Sequence, residues 1–291
     1  MKTLISGLIT VLLAFVLTAL AGQSMASWPK ITESADGVPI SFEVIGEGEP
    51  TLVFVHGWSC DGRYWREQVE HFAANHRLVL VDLAGHGHSG TAREDYTMEA
   101  FGQDVYSVVE AIGADEVILI GHSMGGPVSA NAARLMPESV LGIVGVDTFQ
   151  SVAGFGSREE IEQMLAPLHA DFVSGAREFV AGMFGPGTDT RLRDWVVADM
   201  SAAPPSVAIS AMENMMEAYL QGEVKALFEQ LELPVWAINA DFWPTDVETN
   251  RQYMHSFEIK VMEEVDHFLH MGRPDAFNSK LEQVLEVLIN P

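Results

Sequence analysis

The chain has 291 residues, of which 48% are apolar, 20% charged and 9% aromatic, an ordinary globular composition that excludes collagen, coiled coil and a disordered chain. Sixteen Lys and Arg against 41 Asp and Glu leave a formal charge of −25, a surface that repels nucleic acid and anionic lipid. Cys60 is the only cysteine, which excludes an intrachain disulfide and a multi-cysteine zinc or iron–sulfur site.

Lys2 precedes a nearly unbroken apolar run from Leu4 to Ala21, which ends in the small-x-small triplet Ala19-Leu20-Ala21 and is followed by a second one, Ser24-Met25-Ala26. This pattern predicts a secretory signal peptide over residues 1–26 and an exported, periplasmic or secreted protein. An uncleaved anchor is the alternative, because the run is about long enough to span a bilayer. The functional part is then residues 27–291, with no membrane attachment after cleavage.

Asp36-Gly37, ahead of the alternating Ile40–Val44, predicts a hairpin turn. Short apolar runs without polar alternation follow at Thr51–Val55, Arg77–Val81, Val117–Ile120, Leu141–Val146, Pro234–Asn239 and Phe257–Met262. Such runs predict strands buried on both faces. Helical patterns separate them at Tyr64–Ala74, Met98–Ile112, Met124–Leu135 and Val247–Met254, and a last helix starts near Pro274. The alternation predicts an α/β fold, a mostly parallel, doubly wound sheet with helices on both faces. From about 148 to 231 no strand pattern appears. Met212, Met215, Met216, Tyr219 and Leu220 share one helical face there, so this stretch is expected to be a helical insertion acting as a cap or lid.

The chemistry-bearing residues sit at the ends of the predicted strands. Val117–Ile120 runs into Gly121-His122-Ser123-Met124-Gly125-Gly126, the G-x-S-x-G pattern at a strand-to-helix junction. Small neighbours permit the sharp turn that lifts a serine hydroxyl off the sheet. The turn also aims the Met124 N–H at a developing oxyanion. A serine needs a base. His267, in Asp266-His267-Phe268 beyond the last strand, is the candidate, with His270 as the alternative. Thr51–Val55 ends in His56-Gly57-Trp58, making the Trp58 N–H the second oxyanion donor and its ring a wall of the pocket. His56, His86, His88 and His122 match no metal-ligand spacing.

Taken in order, His56-Gly57, the turn from Asp82 to Ser89, Gly121–Gly126, and Asp266-His267-Phe268 with Pro274 beyond resemble the α/β-hydrolase superfamily, on the branch of serine esterases and lipases. The resemblance covers essentially Trp28–Pro291. It implies an eight-stranded sheet, a cap inserted after the sixth strand, and a nucleophile–acid–histidine triad without metal or organic cofactor. Serine as nucleophile sets the chain apart from the carboxylate-using epoxide hydrolases and haloalkane dehalogenases. The usual Gly-x-x-Asp after the seventh strand is missing. In Asn239-Ala240-Asp241-Phe242-Trp243-Pro244-Thr245-Asp246 the favoured acid is Asp241. Asp246, within a capping-box pattern, and Asp147, at the end of the sixth strand, are the alternatives. The expected reaction is hydrolysis of an ester or related acyl bond in a small, neutral, apolar molecule, with Trp58, Met212, Met216 and Phe242 as substrate-binding residues. A carbon–carbon bond hydrolase, a cofactor-free perhydrolase and a noncatalytic binder are the alternatives.

Overall fold

The computed structural model describes residues 29–290 except Phe155. The apolar run and cleavage triplets of the expected signal peptide lie outside the described residues. Among the described residues no helix is long and apolar enough to cross a membrane.

Eight strands form one sheet: β1 (Lys30–Glu33), β2 (Pro39–Ile45), β3 (Thr51–Val55), β4 (Leu78–Val81), β5 (Val117–His122), β6 (Val140–Val146), β7 (Pro234–Ala240) and β8 (Ser256–Met262). Their spatial order is β1-β2-β4-β3-β5-β6-β7-β8. β1 and β2 form the antiparallel hairpin around Gly37, and every pair from β4 to β8 is parallel. The apolar runs alternate sides along each strand. Val53, Val55, Val79, Val81, Val117 and Leu119 join one core. Leu52, Phe54, Leu78, Leu80, Ile118 and Ile120 join the core on the opposite face. This two-sided burial explains why the strands carry no polar alternation.

Helices cover both faces. A single 3-10 turn, Gly62–Trp65, leads into α1 (Arg66–Phe72). α2 (Met98–Ile112) starts at Thr97, whose hydroxyl accepts from Ala100 N at 3.1 Å, and ends at left-handed Gly113. α3 (Gly125–Leu135) follows the serine turn. Between β6 and β7 come five helices: α4 (Arg158–Ala170), α5 (Phe172–Ala181), α6 (Thr190–Met200), α7 (Pro205–Leu220) and α8 (Glu223–Phe228). The chain closes with α9 (Val247–Tyr253), α10 (Leu269–Gly272) and α11 (Pro274–Ile289). The start of α11 follows from Pro274, which is favourable at a first helical position.

β4 lies on one side of β3 and β5 on the other, so the chain's winding reverses there. The crevice outside the carboxyl ends of two strands at such a reversal is where open α/β sheets bind ligands. The turns after β3 and β5 both open into it.

Candidate active site

β5 ends at His122, and Ser123 takes the left-handed conformation, φ 52°. That conformation is costly for a non-glycine residue and is held by its surroundings. Ser123 N donates to Val146 O at 3.0 Å, and Gly126 N donates to Ser123 O at 2.9 Å. A Cβ on Gly121 would fall onto the Gly125 carbonyl and lie 2.7 Å from the Ser129 hydroxyl. A Cβ on Gly125 would fall onto the Val55 carbonyl. Both glycines are therefore required by close approach, as the sharp turn demands. The turn after β3 comes equally near: a Cβ on Gly57 would sit 3.2 Å from Ser123 Cβ.

His267 lies beyond β8 and is buried. Its Nδ1 is 2.6 Å from Asp147 Oδ2, and the Asp147 side chain is fully buried. Asp147 follows the last residue of β6 with φ 43°. Its other carboxylate oxygen accepts from Ala240 N at 2.9 Å. Asn239 clamps the same loop by donating to Thr148 O at 2.8 Å and accepting from Thr148 N at 3.2 Å. With Asp147 accepting at Nδ1, the lone pair of His267 is left at Nε2, the tautomer a base requires.

The favoured acid, Asp241, is placed elsewhere. It is exposed, and its carboxylate accepts from Glu264 N at 3.2 Å. β7 ends at Ala240 and Asp241 N bonds straight across to Met262 O, so the loop turns before this side chain reaches His267. Asp246 caps α9, accepting from Thr249 N at 3.0 Å and Thr249 Oγ1 at 2.6 Å. Of the three carboxylates weighed, the structure brings Asp147 to His267. The alternative base, His270, is fully buried against Trp65 and Phe277 rather than facing the serine. Burial holds its imidazole neutral, with a pKa of about 3.

His122 donates through Nε2 to the backbone carbonyl of His267 at 2.9 Å. Burial, and then the nearby His270 and His267, push its pKa well down. His56 is also held neutral by burial. It donates to Gly57 O at 2.8 Å and accepts from Leu83 N at 3.0 Å, tying the turns after β3 and β4 together. Among the described residues no cluster of three or more His, Cys, Asp or Glu side chains is arranged to hold a metal.

Ser123 and His267 line one cavity of about 700 Å³. Trp58, Met212 and Met216, which the sequence put forward for substrate binding, line it too, together with Met164, Met183, Met200 and Met215. Phe242 does not. It faces a second, more polar cavity beside Asp241 and Glu264, while its neighbour Trp243 takes the place at the first, 5.4 Å from the His267 ring. One residue's offset in an irregular loop exchanged the two aromatics. Among the described lining residues none is Lys or Arg. The backbone N–H groups of Trp58 and Met124 take part in no turn or loop hydrogen bond among the described residues.

Residues 50–187 match the family model described as alpha/beta hydrolase fold. A dihydrolipoyllysine-residue acetyltransferase component of the acetoin cleaving system from Pseudomonas putida is 28% identical over 63% of this chain, and the chain covers 54% of it, about half its length. A pimeloyl-[acyl-carrier protein] methyl ester esterase from Sodalis glossinidius is 28% identical over 68% of this chain and 77% of that protein. The solved esterase of Thermogutta terrifontis superposes with a TM-score of 0.76 at 20% identity, over 90% of this chain and 99% of that one. Sheet order, family match and structural likeness agree: the chain has the α/β-hydrolase fold.

Proposed function

We propose that the protein is a serine hydrolase that cleaves a carboxylic ester through an acyl-enzyme. The observation that carries this reading is a left-handed Ser123 and a His267 oriented by Asp147, both opening into one cavity. His267 Nε2 takes the Ser123 proton as Oγ attacks the acyl carbonyl. Asp147 keeps the proton on Nδ1 and stabilises the imidazolium. The Trp58 and Met124 N–H groups hold the oxyanion, each contributing about 3 kcal/mol to the barrier reduction. The tetrahedral intermediate collapses, and His267 returns its proton to the departing alcohol. Water, deprotonated by His267, then attacks the acyl-enzyme, and the acid departs as Ser123 recovers its proton.

The cavity favours a small, apolar, neutral substrate. Six methionines and Trp58 supply adaptable apolar walls, and no lining cation is available for an anionic group. The same thioethers favour ester hydrolysis over cofactor-free perhydrolysis, because a peracid made beside them would oxidise them to sulfoxides.

A fluorophosphonate tests the nucleophile. Mass spectrometry is expected to find a single adduct on Ser123, with Ser123→Ala unlabelled and inactive on an activated short-chain ester. An adduct on another residue, or none on folded protein, overturns the reading.

A further inference from the structure

The turn after β3 is bonded to the helical insertion as well as to the sheet. Trp58 is buried, and its indole Nε1 donates to the Ala208 carbonyl of α7 at 2.7 Å. Its ring packs edge-on against two phenylalanines of α5, Phe179 at 5.7 Å and Phe172 at 6.3 Å. The start of α7 is seated on the core. Val207 presses on the left-handed Gly85 turn, and the Ser210 hydroxyl accepts from Tyr96 N at 3.1 Å. One to two turns further along α7, Met212, Met215 and Met216 line the cavity. One residue thus carries the backbone N–H that follows Gly57, where a Cβ would lie 3.2 Å from Ser123 Cβ, and a side chain gripped by the element that forms the pocket wall. On the core side the same peptide is held through Gly57 O, which accepts from His56 Nδ1 at 2.8 Å and from Cys60 N at 3.2 Å, while the Cys60 thiol donates to Trp58 O at 3.4 Å, so the turn is anchored to the sheet and to α7 at once.

We propose that Trp58 is a positioning residue that couples the seat of α7 to the oxyanion site, so that the fit of the acyl group against the methionines of α7 is read out in turnover. This rests on the proposed serine-hydrolase reading. An acyl group that leaves α7 seated keeps the Trp58 N–H aligned on the developing oxyanion. One that displaces α7 draws the indole, and with it the peptide, out of line. Acyl selectivity then appears in kcat more than in KM, because the oxyanion bond matures only in the transition state.

The test removes the indole N–H and keeps the ring. Trp58→Phe is compared with replacement of Trp58 by benzothienylalanine, which preserves the two-ring shape with sulfur in place of N–H and decides the matter if Trp58→Phe folds poorly. Outright loss of an oxyanion donor costs about 10² to 10³ in kcat, so a misaligned donor is expected to cost about tenfold. The expected result is a fall of about tenfold in kcat with KM nearly unchanged. Affinity for a boronic acid that forms a tetrahedral adduct on Ser123 should fall by the same factor, and the dependence of kcat on acyl length should flatten. Unchanged kcat and boronate affinity, or a change confined to KM, overturns the coupling. Fluorophosphonate labelling of the wild-type protein separates the two claims: failure to label Ser123 defeats the hydrolase reading itself, whereas labelling with an indifferent Trp58 defeats only the coupling.

Discussion

At the level of single residues, Asp147 holds His267 Nδ1 with one carboxylate oxygen and Ala240 N with the other. Ser123 and His267 stand out in the sequence because their signals are local: a glycine-framed serine between strand and helix patterns, and a histidine just past the last strand. The carboxylate has no such local signal. Asp147 reaches His267 because its backbone adopts φ 43°, Asn239 clamps the next peptide, and β7 ends one residue before Asp241. None of these can be read from spacing, although an Asp directly after an apolar strand at the carboxyl edge was a usable hint. The functional consequence is testable. Asp147→Asn keeps an acceptor for Ala240 N but no longer favours the required tautomer, and turnover is expected to fall about 10⁴-fold. Asp241→Asn, on an exposed side chain, is expected to stay within a few-fold of wild type. Steady-state kinetics with circular dichroism on both variants decides it; the reverse ranking would return the role to Asp241.

At the level of elements, strands were the more legible because the sheet is buried on both faces and each central strand is a bare apolar run. Boundaries were less so. The segment Tyr64–Ala74 divides into a 3-10 turn and a short helix. β5 continues through Gly121 to His122, since its pairing with β6 runs on into the serine turn. In the insertion, the helical face of Met212, Met215 and Met216 was plain, but which other elements would meet it depended on tertiary packing. The turn between β5 and α3 is the element whose geometry tolerates least. Gly121→Ala would drive a methyl group into the Gly125 carbonyl, and overpacking of this kind costs about 1–3 kcal/mol. Gly185→Ala, with nothing within 4 Å, is expected to stay within about 0.5 kcal/mol of wild type. Urea unfolding of the two variants checks the contrast, and equal midpoints would refute it.

At the level of the whole molecule, four of the five buried histidines among the described residues tie stability to pH. Burial lowers His56 and His122, and brings His86 and His270 to about 3. In the unfolded chain each titrates near 6.5. As pH falls below that value the unfolded state takes up protons that the native state refuses, so stability is full above about 6.5 and declines toward the native pKa values. For a histidine that stays neutral in the native state the slope approaches about 1.4 kcal/mol per pH unit. Between pH 6.5 and 5 most carboxylates remain ionised, so relief of the −25 self-repulsion has scarcely begun and the histidines dominate. The urea midpoint is expected to drop steeply across this interval. His270→Phe should shallow the slope by one histidine's share without orphaning a partner, since neither ring nitrogen of His270 has one among the described residues. An unchanged slope would remove His270 from this account. The cavity without a cation has a different consequence under the proposed reaction. Hydrolysis turns a neutral ester into a carboxylate, which forms where no Lys or Arg among the described lining residues can retain it, inside a chain of net charge −25. The enzyme should therefore discard its acid quickly and resist inhibition by it, and ionic strength should govern how well. Salt screens the repulsion, with a Debye length of about 10 Å at 0.1 M, so the added acid should inhibit more strongly in high salt than in low salt.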